Sequence, residues 1–154
     1  MIREAVAAEA EILTGLINLA FRAERFFVDG DRISVEEVRE HFESGLFLVE
    51  EDRGTISGCV YIELRGDRGY FGLLSVDPAR QGRGIGSRLV DAAEDYCRAH
   101  GCRIMDLQVV NLRQELPGYY GRRGYTGTGT EPFPSNVETK MPCHFICMSK
   151  PLVS

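Results

Sequence analysis

Residues Gln81-Gly82-Arg83-Gly84-Ile85-Gly86-Ser87 have the make-up of a backbone cradle for an anion. The stretch before them, Tyr70-Phe71-Gly72-Leu73-Leu74-Ser75-Val76, has strand composition and ends at Asp77-Pro78, where proline removes a ladder donor and favours a turn. After them, Ile85, Leu89, Ala92, Ala93 and Tyr96 recur at helical spacing up to His100-Gly101, a suitable C-terminal cap. The glycines therefore open a helix. A helix start carries unsatisfied N–H groups and a partial positive charge, and glycine lets an anion approach that backbone without interference from Cβ. The chemistry implied is phosphate binding.

Spacing separates the phosphate-binding families. A P-loop ends in Gly-Lys-Ser/Thr, and no lysine follows these glycines. The dinucleotide fingerprint needs a third glycine at position 87, where Ser87 stands, and belongs in a first strand-helix unit rather than mid-chain.

The elements around the loop read as follows. Ile2 to Val6 suits a first strand, followed by a helix with Ile12, Leu16, Leu19 and Ala20 on one face. Arg22 to Asp31 reads as a loop. Ser34-Val35-Glu36-Glu37 is a capping box opening a second helix, which runs through Phe42 and stops at Gly45. Leu46 to Glu51, Ser57 to Leu64 and Tyr70 to Val76 form an antiparallel meander. The helix from Gly84 leads to a strand over 103–110 as a crossover between parallel neighbours. A short helix follows from Pro117 to Arg123, then strands at Tyr125 to Thr130 and His144 to Lys150. The order β-α-α-β-β-β-α-β-α-β-β gives an α/β class fold, α+β with a mixed sheet, as one domain over residues 1–154.

Composition narrows the function. At 154 residues and 44% hydrophobic content the chain suits a single core. A formal charge of −5 and scattered arginines argue against a nucleic-acid partner. No apolar run reaches the length of a membrane span, and the N-terminus lacks the apolar centre of a signal peptide, so no membrane partner and a cytoplasmic location are expected. Five cysteines without secreted-type spacing argue against a disulfide framework. Cys143-His144 with Cys147 has strand-like spacing and only three ligands, so no metal is assigned.

The pattern Gln/Arg-x-x-Gly-x-Gly/Ala, carried by Gln81, Gly84 and Gly86, resembles the acetyl-CoA-binding motif of the GNAT superfamily of N-acyltransferases. Two further pieces extend the resemblance: a strand ending at Asn111, and Tyr119-Tyr120-Gly121-Arg122-Arg123-Gly124-Tyr125, similar to the family's aromatic-Tyr-x-x-x-Gly-aromatic signature. The element order also matches the GNAT arrangement. The resemblance implies central strands splayed around the acyl-CoA. The main chain of Leu74 and Val76 would pair with its pantetheine arm, Gln81, Gly82, Arg83, Gly84, Ile85, Gly86 and Ser87 would hold the pyrophosphate, and Asn111 would make a further contact. It implies acetyl-CoA, or a longer acyl-CoA, as donor cosubstrate and an amine acceptor, either small molecule or peptide. Tyr120 would be the general acid that protonates the leaving thiolate, with Tyr119 packing.

The base is less determined. A fourth-strand carboxylate common in the family is replaced here by Gly72-Leu73-Leu74. Asp106 resembles the base position of ribosomal-protein N-terminal acetyltransferases and alternates with Met105 and Leu107, so it faces away from their apolar side. Glu63 and a water-mediated route stand beside it. The rival from another class is a non-catalytic acyl-CoA-binding sensor, which would keep the glycine loop and dispense with the acid. No feature decides whether the chain forms the homodimer common in the family. Phe26, Phe27 and Phe133 could line an acceptor pocket or pack in the core, and Cys59 has no base paired with it that would make it a nucleophile.

Overall fold

A computed structural model describes residues 1–153. Seven strands form one sheet: β1 (Ile2–Glu4), β2 (Leu46–Asp52), β3 (Thr55–Arg65), β4 (Arg68–Val76), β5 (Ile104–Val110), β6 (Thr126–Pro132) and β7 (His144–Pro151), in the spatial order β1-β2-β3-β4-β5-β7-β6. The helices are α1 (Ala10–Ala20), α2 (Val35–Ser44), α3 (Ile85–Ala99) and α4 (Glu115–Arg122). Four strand pairs beside β4–β5 form the antiparallel arms, and a fifth joins β6 to β7. Only β4 and β5 run parallel, joined by the crossover through α3. No helix among the described residues is long and apolar enough to cross a membrane.

The sheet is covered on both faces. On one, Leu89, Val90, Ala93 and Cys97 of α3 pack on Phe71, Met105 and Leu107 together with Tyr120 and Tyr125. On the other, Leu13 and Ile17 of α1 and Val38 of α2 pack on Phe47, Val49 and Tyr61. The capping box forms as expected, with Ser34 Oγ accepting from the Glu37 N–H at 3.2 Å and Glu37 Oε1 accepting from the Ser34 N–H at 3.1 Å.

Four local details differ from the sequence reading. The first strand stops at Glu4, and a turn of 3₁₀-helix over Ala7–Glu9 precedes α1. The buried face of α1 is Ala10, Leu13, Leu16 and Ile17, while Ile12 is 57% exposed, because packing against β3 and β4 selects a stripe rotated from the one assigned. The segment after α1 is not wholly loop, since Phe21–Glu24 forms another 3₁₀ turn. Finally, α4 begins at Glu115 and carries Pro117 in its first turn, where the missing N–H has no intrahelical acceptor to lose.

Candidate active site

The site begins where the sheet comes apart. Pairing between β4 and β5 covers Arg68↔Ile104, Gly69↔Met105 and Tyr70↔Asp106 and then stops. Beyond Tyr70 the facing edges of Phe71–Val76 and Leu107–Val110 diverge and line a cleft of about 630 Å³. The outer edge of β5 is occupied along its whole length by β7, so its free hydrogen-bonding groups point into the cleft.

A bulge shapes the β4 wall. The β3–β4 register shifts between Cys59 and Tyr61, and Leu73 opposite the shift has φ +53°. A left-handed leucine costs about 1–3 kcal/mol and persists only where its surroundings hold it. Here the Leu73 carbonyl accepts from Ser75 Oγ at 3.0 Å, and the side chain is buried against the α1–α2 face. The bulge changes the phase of the strand. Phe71 packs toward α3, Leu73 toward α1 and α2, and Leu74 and Val76 toward α3 again. Leu74 and Val76 thus occupy successive same-side positions along an unpaired edge, and both line the cleft.

The glycine loop closes one end. Asp77 caps the turn after β4 by accepting from the Ala79 N–H at 2.9 Å, and Gln81 then lines the cleft. Gly82 and Gly84 have φ +84° and +76°, which only glycine adopts readily. Gly84 is the N-cap of α3 and offers no side chain to the first-turn N–H groups, which leaves them for an anion. Ile85 is buried and anchors the start of the helix. A Cβ on Gly86 would lie 3.6 Å from Val76 Cγ2, so the helix start sits close beside β4. Ser87 Oγ is 3.1 Å from the Tyr119 hydroxyl, which joins α3 to α4.

Tyr120 of α4 lines the cleft with 6% of its surface exposed. Its ring is held edge-on between Phe71 at 5.9 Å and Tyr125 at 5.8 Å, and the Tyr125 hydroxyl donates to buried Glu94 at 2.9 Å. The ring is fixed, yet its hydroxyl makes no hydrogen bond among the described residues. Burial, with a smaller contribution from Tyr119, pushes the phenol well above its usual range against the charges of Arg123 and Arg113. The group stays protonated near neutrality and can donate.

At the opposite end, Arg113 NH1 of the β5–α4 loop lies 3.3 Å from Glu24, which the 3₁₀ turn after α1 carries into the cleft. Burial holds the Glu24 carboxyl above the ordinary range even though Arg113 and Arg32 pull it down. Sequence reading missed this pair, because the partners are 89 residues apart and Glu24 sits in what reads as an arginine-flanked loop. Two distant segments are also joined beside this end. Lys140 of the β6–β7 connection donates its backbone N–H to the Phe27 carbonyl at 2.7 Å, and its ammonium lies 3.0 Å from Asp29.

Three candidates are placed away from this arrangement. Asp106 does not line the cleft. Its carboxylate receives Arg68 Nε and NH2 at 2.7 and 2.8 Å and the Ser149 hydroxyl, and these bonds hold it below the usual range although burial opposes them. Asn111 is engaged with β7, its Oδ1 accepting from the His144 N–H at 2.8 Å. Glu63 accepts from the Tyr61 hydroxyl and Arg65 Nε, both at 2.7 Å. Phe133 lines the cleft, Phe27 is fully buried and Phe26 is 50% exposed. Burial pushes the Cys59 thiol up to about 12, and it is an inert core residue.

The acetyltransferase (GNAT) family model matches residues 15–125. The chain belongs to this family. Among its relatives, glucosamine 6-phosphate N-acetyltransferase 1 of Oryza sativa subsp. japonica is 29% identical over 120 residues, 72% of this chain and 71% of the relative. Mycothiol acetyltransferase of Propionibacterium freudenreichii subsp. shermanii is 28% identical over 92 residues, and the match spans 57% of this chain and 30% of that protein. An aminoglycoside 6′-N-acetyltransferase solved in complex with coenzyme A shares the fold with a TM-score of 0.76 at 20% identity, over 100% of this chain and 98% of that one. The splayed sheet is thus a GNAT fold, and the protein is a GNAT acetyltransferase.

Proposed function

We propose that this GNAT domain, residues 1–154, transfers the acetyl group of acetyl-CoA to the primary amine of a small acceptor by direct attack through a tetrahedral intermediate. The cleft suits the donor on three counts. The uncapped start of α3 with Gly82 and Gly84 suits a pyrophosphate, the free edge at Leu74 and Val76 offers main-chain pairing to an extended amide arm, and Gln81 at the start of the loop lines the same cleft as that edge. Arg83, Gly86 and Ser87 belong to that donor end. Asn111, bonded to β7, has no part in the reading.

The observation that carries the reading is Tyr120: a fixed ring, a raised phenol and a hydroxyl with no hydrogen-bond partner among the described residues, on a side chain that lines the cleft. As the C–S bond breaks, Tyr120 gives its proton to the thiolate. On the other side, an amine of pKa about 10 must lose a proton before or during attack. Glu24 lines the acceptor end as a carboxylate of raised basicity, and we assign it to receive that proton in place of Asp106, which is ion-paired with Arg68 and accepts from the Ser149 hydroxyl.

The bridge from Lys140 to Phe27 and Asp29 supports a small acceptor, because it joins the two segments between which a peptide groove would have to run open. Five free thiols suit a reducing compartment and support a cytoplasmic location. The test is to incubate the protein with acetyl-CoA and a panel of small amines and short peptides, then quantify free CoA and acetylated product by chromatography with mass detection. Amine-dependent product is expected, with Tyr120→Phe lowering kcat by about 10²–10⁴-fold. Product from peptides alone would overturn the small-acceptor reading, and unchanged turnover in Tyr120→Phe would remove the acid.

A further inference from the structure

Charge pairing around the cleft leaves a remainder. The carboxylates that line it are Glu24, Asp29, Asp31 and Glu115, and each has a cation nearby: Arg113 at 3.3 Å from Glu24 and 3.1 Å from Glu115, Lys140 at 3.0 Å from Asp29, and Arg25 at 3.9 Å from Asp31. Of the lining arginines, Arg32 and Arg122 have no carboxylate within 4.0 Å and no hydrogen-bond acceptor among the described residues. Lining arginines and carboxylates are equal in number, four of each, but these two arginines have no close counter-ion. The two belong to different ends. Arg122 is on α4, where Tyr119 and Arg123 are bonded to Ser87 in the first turn of α3, so it stands on the glycine-loop side. Arg32 is on the segment that carries Glu24 and stands on the acceptor side.

Arg32 is held in place. Its guanidinium carbon lies 5.5 Å from the centre of the Phe21 ring. The next residue, Ile33, is clamped at both main-chain polar groups by Asn18 of α1, whose Nδ2 donates to the Ile33 carbonyl at 2.9 Å and whose Oδ1 accepts from the Ile33 N–H at 3.0 Å. The Arg32 charge acts on both the Glu24 carboxyl and the Tyr70 hydroxyl, two groups that burial pushes upward. Tyr70 is the last residue at which β4 still pairs with β5. The cation is therefore electrostatically coupled to the apex of the cleft and to the carboxylate assigned to the amine. The same cleft is lined by Val28, Phe133, Pro134 and Val137, and Arg32 itself is exposed to solvent. A cleft-lining arginine without a counter-ion can form a charge-assisted bond with a ligand that brings an anion.

Resting on the acetyltransferase reading above, we propose that the amine acceptor carries an anionic group, a carboxylate or a phosphate monoester, and that Arg32 binds it. The amine of the same molecule then lies toward Glu24. Polyamines are disfavoured as acceptors, because each lining carboxylate already has an arginine or lysine beside it, with Arg113 shared between Glu24 and Glu115.

The test is a matched series of primary amines, ethanolamine, β-alanine, O-phosphoethanolamine and 1,3-diaminopropane, with the same four functions also presented on a hexosamine-sized scaffold. Steady-state acetylation is followed in the wild type, Arg32→Gln and Arg32→Lys. Carboxylate or phosphate members are expected to exceed the neutral member in kcat/KM by about tenfold or more, the worth of one charge-assisted bond, and the better of the two distinguishes the sources of the anion. In Arg32→Gln that preference disappears through KM, and Arg32→Lys restores part of it. A preference for the neutral or dicationic member, or an anion preference untouched in Arg32→Gln, would overturn the proposal. If no amine is acetylated, the reaction reading fails separately. The Arg32 subsite is then read from calorimetric binding of β-alanine and O-phosphoethanolamine to the CoA complex. Tighter binding to the wild type than to Arg32→Gln supports it, and equal affinity or no binding sinks it.

Discussion

Arg88 donates from Nε to Oε1 of Glu50 at 2.8 Å, and through this pair the glycine loop is tied to β2. The other branch of the guanidinium, NH1, donates to the carbonyl of Arg83 at 3.0 Å, inside the loop. Glu50 is buried, and bonds from the Met1 ammonium and from Arg88 hold its carboxyl below the usual range against burial. The first turn of α3 is thus held to β2.

Removing that tie should act on acetyl-CoA rather than on chemistry. Arg88→Ala is expected to raise the KM for acetyl-CoA by about tenfold, the cost of one charge-assisted bond, with kcat little changed. Arg88→Lys keeps the ion pair and loses the fork, so it should fall between. A depressed folded-state pKa contributes stability above the unfolded-state value that is lost as pH falls through the folded one. Acidification below the normal carboxylate range should therefore weaken acetyl-CoA binding in the wild type more than in Arg88→Ala, measured by calorimetry. Equal pH dependence in both proteins would remove Glu50 from the loop's support.

The second prediction concerns the backbone of the loop. Gly84 at φ +76° would place a Cβ 3.3 Å from Arg88 NH1. Gly84→Ala is expected to cost about 1–2 kcal/mol from the left-handed backbone alone. That corresponds to a fall in Tm of about 2–4 °C for each kcal/mol in a chain of this size. It should also weaken acetyl-CoA, because the strained N-cap would turn the first-turn N–H groups away from the phosphate. Gly86→Ala, with ordinary contact at 3.6 Å from Val76, serves as the control and should be milder on both measures.

What could be read from the sequence follows from how local each feature is. The glycine loop, the capping box at Ser34 and the strands of the meander each depend on residues a few positions apart, and all appear as expected. Helix α4 brings Tyr120 to the cleft, and the place of this residue on a short helix was legible from its local motif. The bulge at Leu73 was not, since nothing in Gly72-Leu73-Leu74 marks a left-handed leucine, and only pairing with β3 imposes it. Asp106 alternated correctly away from the apolar side, but its position beside Arg68 depends on the parallel register of β4 and β5, which spacing does not give. Glu24 and Lys140 join the site through contacts spanning about half the chain or more, beyond any local signal.

Glu24 gives the prediction that separates chemistry from folding. Its carboxyl lies above the ordinary range chiefly because burial disfavours the charge, so the ionised form costs the folded state stability at neutral pH. The sign follows: this cost is present above the folded-state pKa and vanishes as pH falls below the unfolded-state value. Glu24→Gln should therefore leave Tm at neutral pH unchanged or raised, although Arg113 retains only Glu115 as a carboxylate partner. Turnover should move the other way. As acceptor of the amine proton Glu24 must be ionised, so wild-type kcat at saturating amine should decline as pH falls through a midpoint above the ordinary carboxylate value. In Glu24→Gln, kcat should drop by about 10²–10⁴-fold and that acidic limb should disappear. If the variant loses Tm and activity together while keeping the acidic limb, Glu24 is a structural partner of Arg113 and the proton leaves by another route.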